Sequence, residues 1–157
     1  MTGWRLGYMG APEWLAAACA KVQGQVTSGA NAFGQKAGAY ALLSDLGPTH
    51  EMKNACAKRK ELVTSLLGDI PGINCNNPKG AFYVFPNIKA LFGKTNGLVT
   101  INNSSDFAEL MLQDAHVAVV AGSAFGDDEC FRLSYAASEE DLKKAIDRIA
   151  HVLAKFS

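Results

Sequence analysis

Apolar residues along the chain change their spacing several times, and each change predicts an element. The clearest helical stripe is the last. Leu142, Ala145, Ile146, Ile149, Val152, Leu153 and Phe156 recur at three- and four-residue steps, which predicts an amphipathic helix over about 139–156. Ser138 followed by Asp141 resembles a capping box at its start, with Asp in the place usually held by Glu. An earlier helix, about 49–67, carries Met52, Cys56, Arg59, Leu62, Val63, Leu66 and Leu67 on one broad face. Thr49 is its predicted N-cap, and Gly68 its stop. Ser104 or Ser105 caps a third helix, about 105–115, that turns Phe107, Leu110, Met111 and Ala115 inward. Upstream, Pro12 suits the first turn of an Ala- and Leu-rich helix over 12–24, interrupted by Gly24 and Gly29. Another helix, about 31–45, ends at Gly47-Pro48.

Between these helices the pattern shortens to strands. Residues 3–9 read as a strand end, and Pro71-Gly72 turns the chain into a short strand near 73–75. Asn76-Asn77-Pro78-Lys79-Gly80 is a dense turn signal. Residues 81–85 follow as a compact apolar strand closed by Pro86, with Phe82 and Phe85 expected in the core. Val117–Ala121 and Phe131–Tyr135 complete the set. The order is helices, then strand, strand, helix, strand, strand, helix. It predicts an α/β or α+β domain with helices packed on one small sheet.

Composition narrows the functional classes. The chain has 157 residues, enough for one domain with an appendage, and 48% of them are hydrophobic. Its 15 basic and 15 acidic residues balance, so charge implies neither a nucleic-acid partner nor an anionic membrane. No stretch reads as a bilayer span, and no signal-peptide pattern opens the chain. The four cysteines (Cys19, Cys56, Cys75, Cys130) are scattered without a Cys-x-x-Cys pair, and the three histidines lack metal-ligand spacing. Reduced thiols and a cytoplasmic location are expected.

Two arginines stand out. Arg5 lies in Met1-Thr2-Gly3-Trp4-Arg5-Leu6-Gly7-Tyr8, an apolar stretch with close glycines. From the octapeptide alone it reads first as a surface arginine at a strand end; the alternative is an anion holder, since a buried cation needs a partner and a guanidinium fork suits phosphate or carboxylate. Arg132 lies in Phe131-Arg132-Leu133-Ser134-Tyr135. Strand alternation puts Arg132 and Ser134 on one face and Phe131, Leu133 and Tyr135 on the other. From the residues alone it is either a solvent-facing strand arginine or a bidentate clamp for a carboxylate. Gly122-Ser123-Ala124-Phe125-Gly126 is a loop whose glycines turn chemistry alone would explain.

Taken together, residues 1–8, 71–86, 117–136 and the terminal helix resemble fold-type I, pyridoxal-phosphate-dependent aminotransferases of the aspartate aminotransferase kind. The resemblance implies that residues 1–47 are the tail of a large cofactor-binding domain, a strand plus helices. It implies that 48–157 are a C-terminal small domain. Arg5 would then hold the phosphate of pyridoxal 5'-phosphate, and Arg132 the α-carboxylate of the substrate. Tyr83, in Gly80-Ala81-Phe82-Tyr83, would come near the substrate. Thr27 and Ser28 would belong to a loop reaching toward the neighbouring subunit's cofactor, although Gly29 replaces the family's asparagine there. Ala121 likewise replaces the proline that normally precedes the Gly-Ser-x-Phe-Gly loop.

In that family a lysine carries the cofactor as a Schiff base, and here it would lie four residues before Met1. The expectation is therefore a transaminase fragment, inactive alone. Its parent would be a homodimer moving an amino group between an amino acid, aspartate first, and a 2-oxo acid. Related lyases and synthases share both arginines, so the reaction type stays open on this ground. Two other readings also stand: a stand-alone module binding amino acids or oxo acids without chemistry, and an interaction protein.

Overall fold

The computed structural model describes residues 1 and 3–157 in full and residue 2 by its backbone. The chain forms two compact units, Met1–Thr49 and His50–Ser157.

In the first unit, the residues expected to end a strand instead wind into a 3-10 turn at Thr2–Trp4. Arg5 follows with φ of 56°, a left-handed conformation that an extended strand cannot contain. α1 spans Glu13–Val26 and runs through Gly24 without a break. A single helical glycine costs only about 1 kcal/mol. The chain breaks instead at Ser28 and Gly29, whose φ values are 62° and 127°. α2 spans Ala32–Leu43, and the Asn31 side chain caps it by accepting the Gly34 N–H at 2.6 Å. A larger residue at Gly34 would have to push the capping Asn31 side chain and the end of Leu6 aside. A Cβ there would lie 2.5 Å from Asn31 Oδ1 and 2.9 Å from Leu6 Cδ1. Trp4 packs edge-on to Phe33, with ring centroids 5.7 Å apart. Gly34 is the only buried residue among those described in this unit, whereas Trp14, Tyr40 and Leu43 are exposed.

α3 spans Gly47–Gly68. Gly47-Pro48 thus opens this helix instead of merely closing the previous one. Proline has no N–H to lose in a first turn, so it is well suited there. Thr49 lies inside α3 and is not its N-cap. On the face predicted for this helix, Val63 and Leu67 are buried, Cys56, Arg59, Leu62 and Leu66 are half-buried, and Met52 is exposed.

The second unit carries a contiguous core. β1 (Tyr83–Val84), β2 (Val120–Ala121) and β3 (Phe131–Ser134) form an antiparallel sheet in the order β1-β3-β2. α4 spans Ser104–Gln113, and α5 spans Glu139–Leu153. Val63 and Leu67 of α3, Phe107 and Met111 of α4, Phe131 and Leu133 of β3, and Ile146 and Ile149 of α5 join one buried cluster. Helices packed on a small sheet therefore make up this unit, as the order of elements predicts. Ser138 caps α5, its hydroxyl oxygen accepting the Asp141 N–H at 3.1 Å. α4 begins one residue earlier than the sequence suggests. Asn103 is its N-cap, its side-chain oxygen accepting N–H groups of Ser105 and Asp106 at 2.9 Å each.

The strands are shorter than their apolar runs. Ala81 adopts φ of 60°, which stops β1 from extending back to residue 81. The 73–75 segment makes a single bridge, Asn74 to Asn87. Of the 81–85 run, Val84 is the fully buried member, while Phe82 is exposed and Phe85 half-buried. Alternation explains Phe85, whereas Phe82 lies before β1, beside the left-handed Ala81, and is not governed by the strand's period. With Val84 pointing inward, Tyr83 and Phe85 must share the opposite face.

Candidate functional site

The outward face of the sheet gathers aromatic rings around Arg132. In the strand register Tyr83 lies opposite Ser134, and Val120 opposite Arg132. Tyr83 is thus a diagonal neighbour of Arg132 on the same face, within reach of a long side chain. Its ring centroid lies 4.4 Å from the Arg132 Cζ. Phe125, from the loop between β2 and β3, also places its centroid 4.4 Å from that carbon. Both distances are well inside cation–π range, each contact being worth about 0.5–1 kcal/mol where exposed and more where dry. Phe85 extends the cluster, meeting Phe125 edge-on at 6.0 Å.

The rings position the guanidinium without satisfying it. Among the described residues the ion pairs are Lys89–Glu129 and Lys144–Glu140, and neither involves Arg132. No described residue accepts a hydrogen bond from the Arg132 guanidinium, on a half-buried residue of β3. Five N–H donors in a fixed fork therefore remain for an external acceptor. A planar carboxylate matches that fork in charge and geometry.

The loop that delivers Phe125 is tightly built. Gly122–Phe125 forms a 3-10 turn, and Gly126 closes it at φ of 85°. The Gly122 N–H donates to the Cys130 carbonyl at 2.9 Å. A Cβ on Gly122 would lie 2.2 Å from both the Asp127 and Cys130 carbonyl oxygens, so only glycine fits. Behind the loop, the Cys130 thiol is buried and donates to Asp127 Oδ2 at 3.4 Å. Burial, reinforced by that carboxylate, pushes the thiol up to about 11.

The remaining sequence candidates belong to the first unit. Arg5 is exposed on the turn that follows Trp4. Thr27 is the C-cap of α1, its backbone N–H donating to the Gln23 carbonyl at 2.9 Å and its hydroxyl paired with the Gln23 side chain. Ser28 occupies the left-handed turn after it. Sequence reasoning missed the role of Phe125 and Phe85. For Phe85 a signal existed, because Tyr83 and Phe85 alternate around a buried Val84. Phe125 had none, since its approach depends on how a glycine-bounded loop folds. Among the described residues no cluster of His, Cys, Asp and Glu could hold a metal ion, and no helix is long and apolar enough to cross a membrane.

A family model described as aminotransferase class I and II matches residues 1–149. The chain is 43% identical to an aspartate aminotransferase of Rhizobium meliloti (strain 1021), over 100% of this chain and 38% of that protein. It is 42% identical to a bifunctional aspartate aminotransferase and glutamate/aspartate-prephenate aminotransferase of Petunia hybrida, over 98% of this chain and 33% of the other. Among solved structures it is similar to an aspartate aminotransferase from Rhizobium meliloti, with TM-score 0.93 and 43% identity, covering 100% of this chain and 40% of that one. It is also similar to an aromatic aminotransferase from Pyrococcus horikoshii, with TM-score 0.84 and 39% identity over 98% of this chain and 40% of the other. The chain thus spans 33–40% of the length of these relatives.

Proposed function

We propose, from the premise that this chain belongs to the aminotransferase class I and II family, that it supplies anion-binding arginines to a pyridoxal-phosphate-dependent transaminase. The complete enzyme would move an amino group between an amino acid, aspartate first, and a 2-oxo acid. The observation that carries this reading is Arg132: a guanidinium set against two aromatic rings, with no acceptor among the described residues. Such a group is prepared for a carboxylate that arrives from outside the chain.

In this reading Arg132 grips the α-carboxylate of the amino acid and orients its α-carbon. Tyr83 and Phe125 hold the guanidinium and keep water from one side of the grip. Arg5 takes the phosphate of the cofactor. Its donor chemistry fits that group, being a guanidinium on an exposed turn flanked by Gly3 and Gly7. Pyridoxal phosphate, when bound, supplies an electron sink for the charge left as the amino acid loses its α-proton. Thr27 and Ser28 would reach toward the cofactor of the neighbouring subunit, and the complete enzyme is read as a cytoplasmic homodimer. The lysine that bears the cofactor and moves the proton is not one of the residues assigned here, and the 157 residues alone are expected to be inactive.

The same reading takes residues 1–47 as the tail of the large cofactor-binding domain and 48–157 as the small domain. The first unit supports it by its near lack of buried residues beside exposed Trp14, Tyr40 and Leu43.

Steady-state assay of the complete enzyme with aspartate and 2-oxoglutarate, with pyridoxal phosphate added, tests the proposal. Arg132→Ala should lower kcat/KM by about 10²-fold or more, the loss of a bidentate charged pair. Arg132→Lys should recover only part of it, because an ammonium cannot make the fork. Unchanged kcat/KM in Arg132→Ala, or no amino transfer by the native enzyme, overturns the reading.

A further inference from the structure

We propose that Ser104 and Asp128 are positioning residues for the carboxylate grip, acting through the loop that carries Phe125. Ser104 is the first residue of α4 and a fully buried polar residue of the second unit. Its hydroxyl donates to Asp128 Oδ1 at 2.6 Å. The same hydroxyl oxygen accepts the Ser123 N–H at 3.2 Å. The Ser104 backbone N–H also donates to Asp128 Oδ1, at 3.2 Å. One buried hydroxyl therefore joins three separate segments: the N-terminus of α4, the 3-10 turn at Gly122–Phe125 and the Asp128 corner.

The connection is directional. Ser123 is two residues from Phe125 within one turn, and the Phe125 ring lies 4.4 Å from Arg132 Cζ. Asp128 is three positions from the β3 strand that holds Arg132 itself. Ser104 and Asp128 thus tie the ring-bearing turn to the segment leading into the arginine's strand, fixing the ring where the guanidinium must lie. Turns of this kind are normally held by their own backbone bonds. This one adds a buried side-chain bond, shortened as expected for a hydroxyl donating to a carboxylate. A buried hydroxyl that satisfies both its donor and its acceptor capacity loses both when truncated, and the orphaned Ser123 N–H must then find water.

A guanidinium already held by the Phe125 ring has fewer rotamers to freeze when a carboxylate binds. Releasing the ring should weaken carboxylate binding without removing any group that touches the ligand. The inference rests on the clamp role of Arg132 proposed above, and the experiment separates the two. The 157-residue chain is labelled with 15N. The Arg132 Nε–H resonance, displaced by the adjacent rings, reports Phe125, and a succinate titration followed at that resonance reports carboxylate binding. Ser104→Ala and the surface variant Asp128→Ala should both move the Arg132 resonance in the direction that Phe125→Leu moves it. Both should raise the apparent succinate Kd about three- to tenfold, the range expected from one or two side-chain torsions set free. Amide resonances of α5 serve as the check that each variant is folded, and Asp128→Ala keeps the test available where Ser104→Ala is not. Asp128→Asn retains an acceptor for Ser104 and should recover most of the native shift. A native chain whose Arg132 resonance ignores succinate overturns the clamp reading. A native chain that binds succinate, with variants indistinguishable from it in shift and Kd, overturns the positioning role alone.

Discussion

The Tyr135 hydroxyl donates to the Ala81 carbonyl at 2.9 Å, across 54 residues of sequence. The Tyr135 N–H donates to the Phe82 carbonyl at 2.9 Å. One residue thus secures both the strained corner at Ala81, where φ is 60°, and the entry into β1, which presents Tyr83 to Arg132. A left-handed alanine costs about 1–2 kcal/mol, so the corner needs such a restraint.

Tyr135→Phe removes the hydroxyl and leaves the Ala81 carbonyl without that partner. The expected loss is about 0.5–1.5 kcal/mol of unfolding free energy, the net worth of a part-buried neutral hydrogen bond whose freed carbonyl can turn to water. Urea denaturation followed by circular dichroism measures it. Ser134→Ala, at the exposed last residue of β3, whose hydroxyl accepts only the exposed Ala136 N–H among the described residues, should stay within about 0.5 kcal/mol of the native chain.

Gly122→Ala should be worse than its size suggests. The added methyl would sit 2.2 Å from two backbone carbonyl oxygens, those of Asp127 and Cys130. Neither can swing aside like a side chain, so the turn must open and give up its bond to Cys130. About 2–3 kcal/mol of stability should be lost. The Arg132 Nε–H resonance should shift as well, because Phe125 rides on that turn. Native-like stability in this variant would contradict the packing described for the loop.

The part of the site that strand alternation controls was readable in the sequence. Arg132 sits between buried Phe131 and Leu133, and a period of two is enough to send its side chain to the other face. The terminal helix was equally readable, because a wide apolar stripe and a serine cap agree with each other. The misreadings share a different cause. Residues 3–9 read as a strand end, yet Arg5 takes a left-handed φ that no strand contains. Gly47-Pro48 looked like a terminator because the same residues that stop one helix can start the next. The Ser104–Asp128 bond spans 24 residues and has no local signature. It arises only once α4 and the Phe125 loop have packed together, so no window of sequence contains it.

Asn103→Ala tests the cap of α4. The Asn103 side chain accepts two N–H groups, from Ser105 and Asp106, each at 2.9 Å. Alanine leaves both to water, at a cost of about 1 kcal/mol. Asn103→Asp should recover the loss, since an aspartate accepts the same bonds and favours the positive end of the helix. Ser105→Ala, at a residue that lends no side chain to the cap, should be close to neutral. The comparison separates Asn103 from the serines that the sequence offers as caps, and thermal melts of the three variants read it directly.

Cys130 and Cys19 should differ sharply in reactivity, and Cys130 should also make stability depend on alkaline pH. Cys19 is exposed, whereas Cys130 is buried and its thiol is pushed up to about 11 by burial, with Asp127 adding to the effect. Thiolate is the reacting species, so iodoacetamide at pH 8.5 should modify Cys19 first and Cys130 only after urea is added. The folded protein holds the Cys130 proton more tightly than the unfolded chain, whose thiol titrates near the ordinary 9.0. The unfolded state therefore releases that proton first as pH rises, which favours unfolding. The stabilisation is complete below pH 9 and is lost progressively as pH climbs through about 11. Tyr135, raised above its ordinary value chiefly by burial, acts in the same direction from pH 10 upward. Urea midpoints measured at pH 8, 9.5 and 10.5 should fall in that order for the native chain. Cys130→Ala should flatten the decline over the whole range, leaving only the part due to Tyr135 and to Cys75, whose thiol burial also raises. A midpoint constant from pH 8 to 10.5, or rapid labelling of Cys130 in the folded chain, would show that the thiol is not held in the buried, carboxylate-facing environment described.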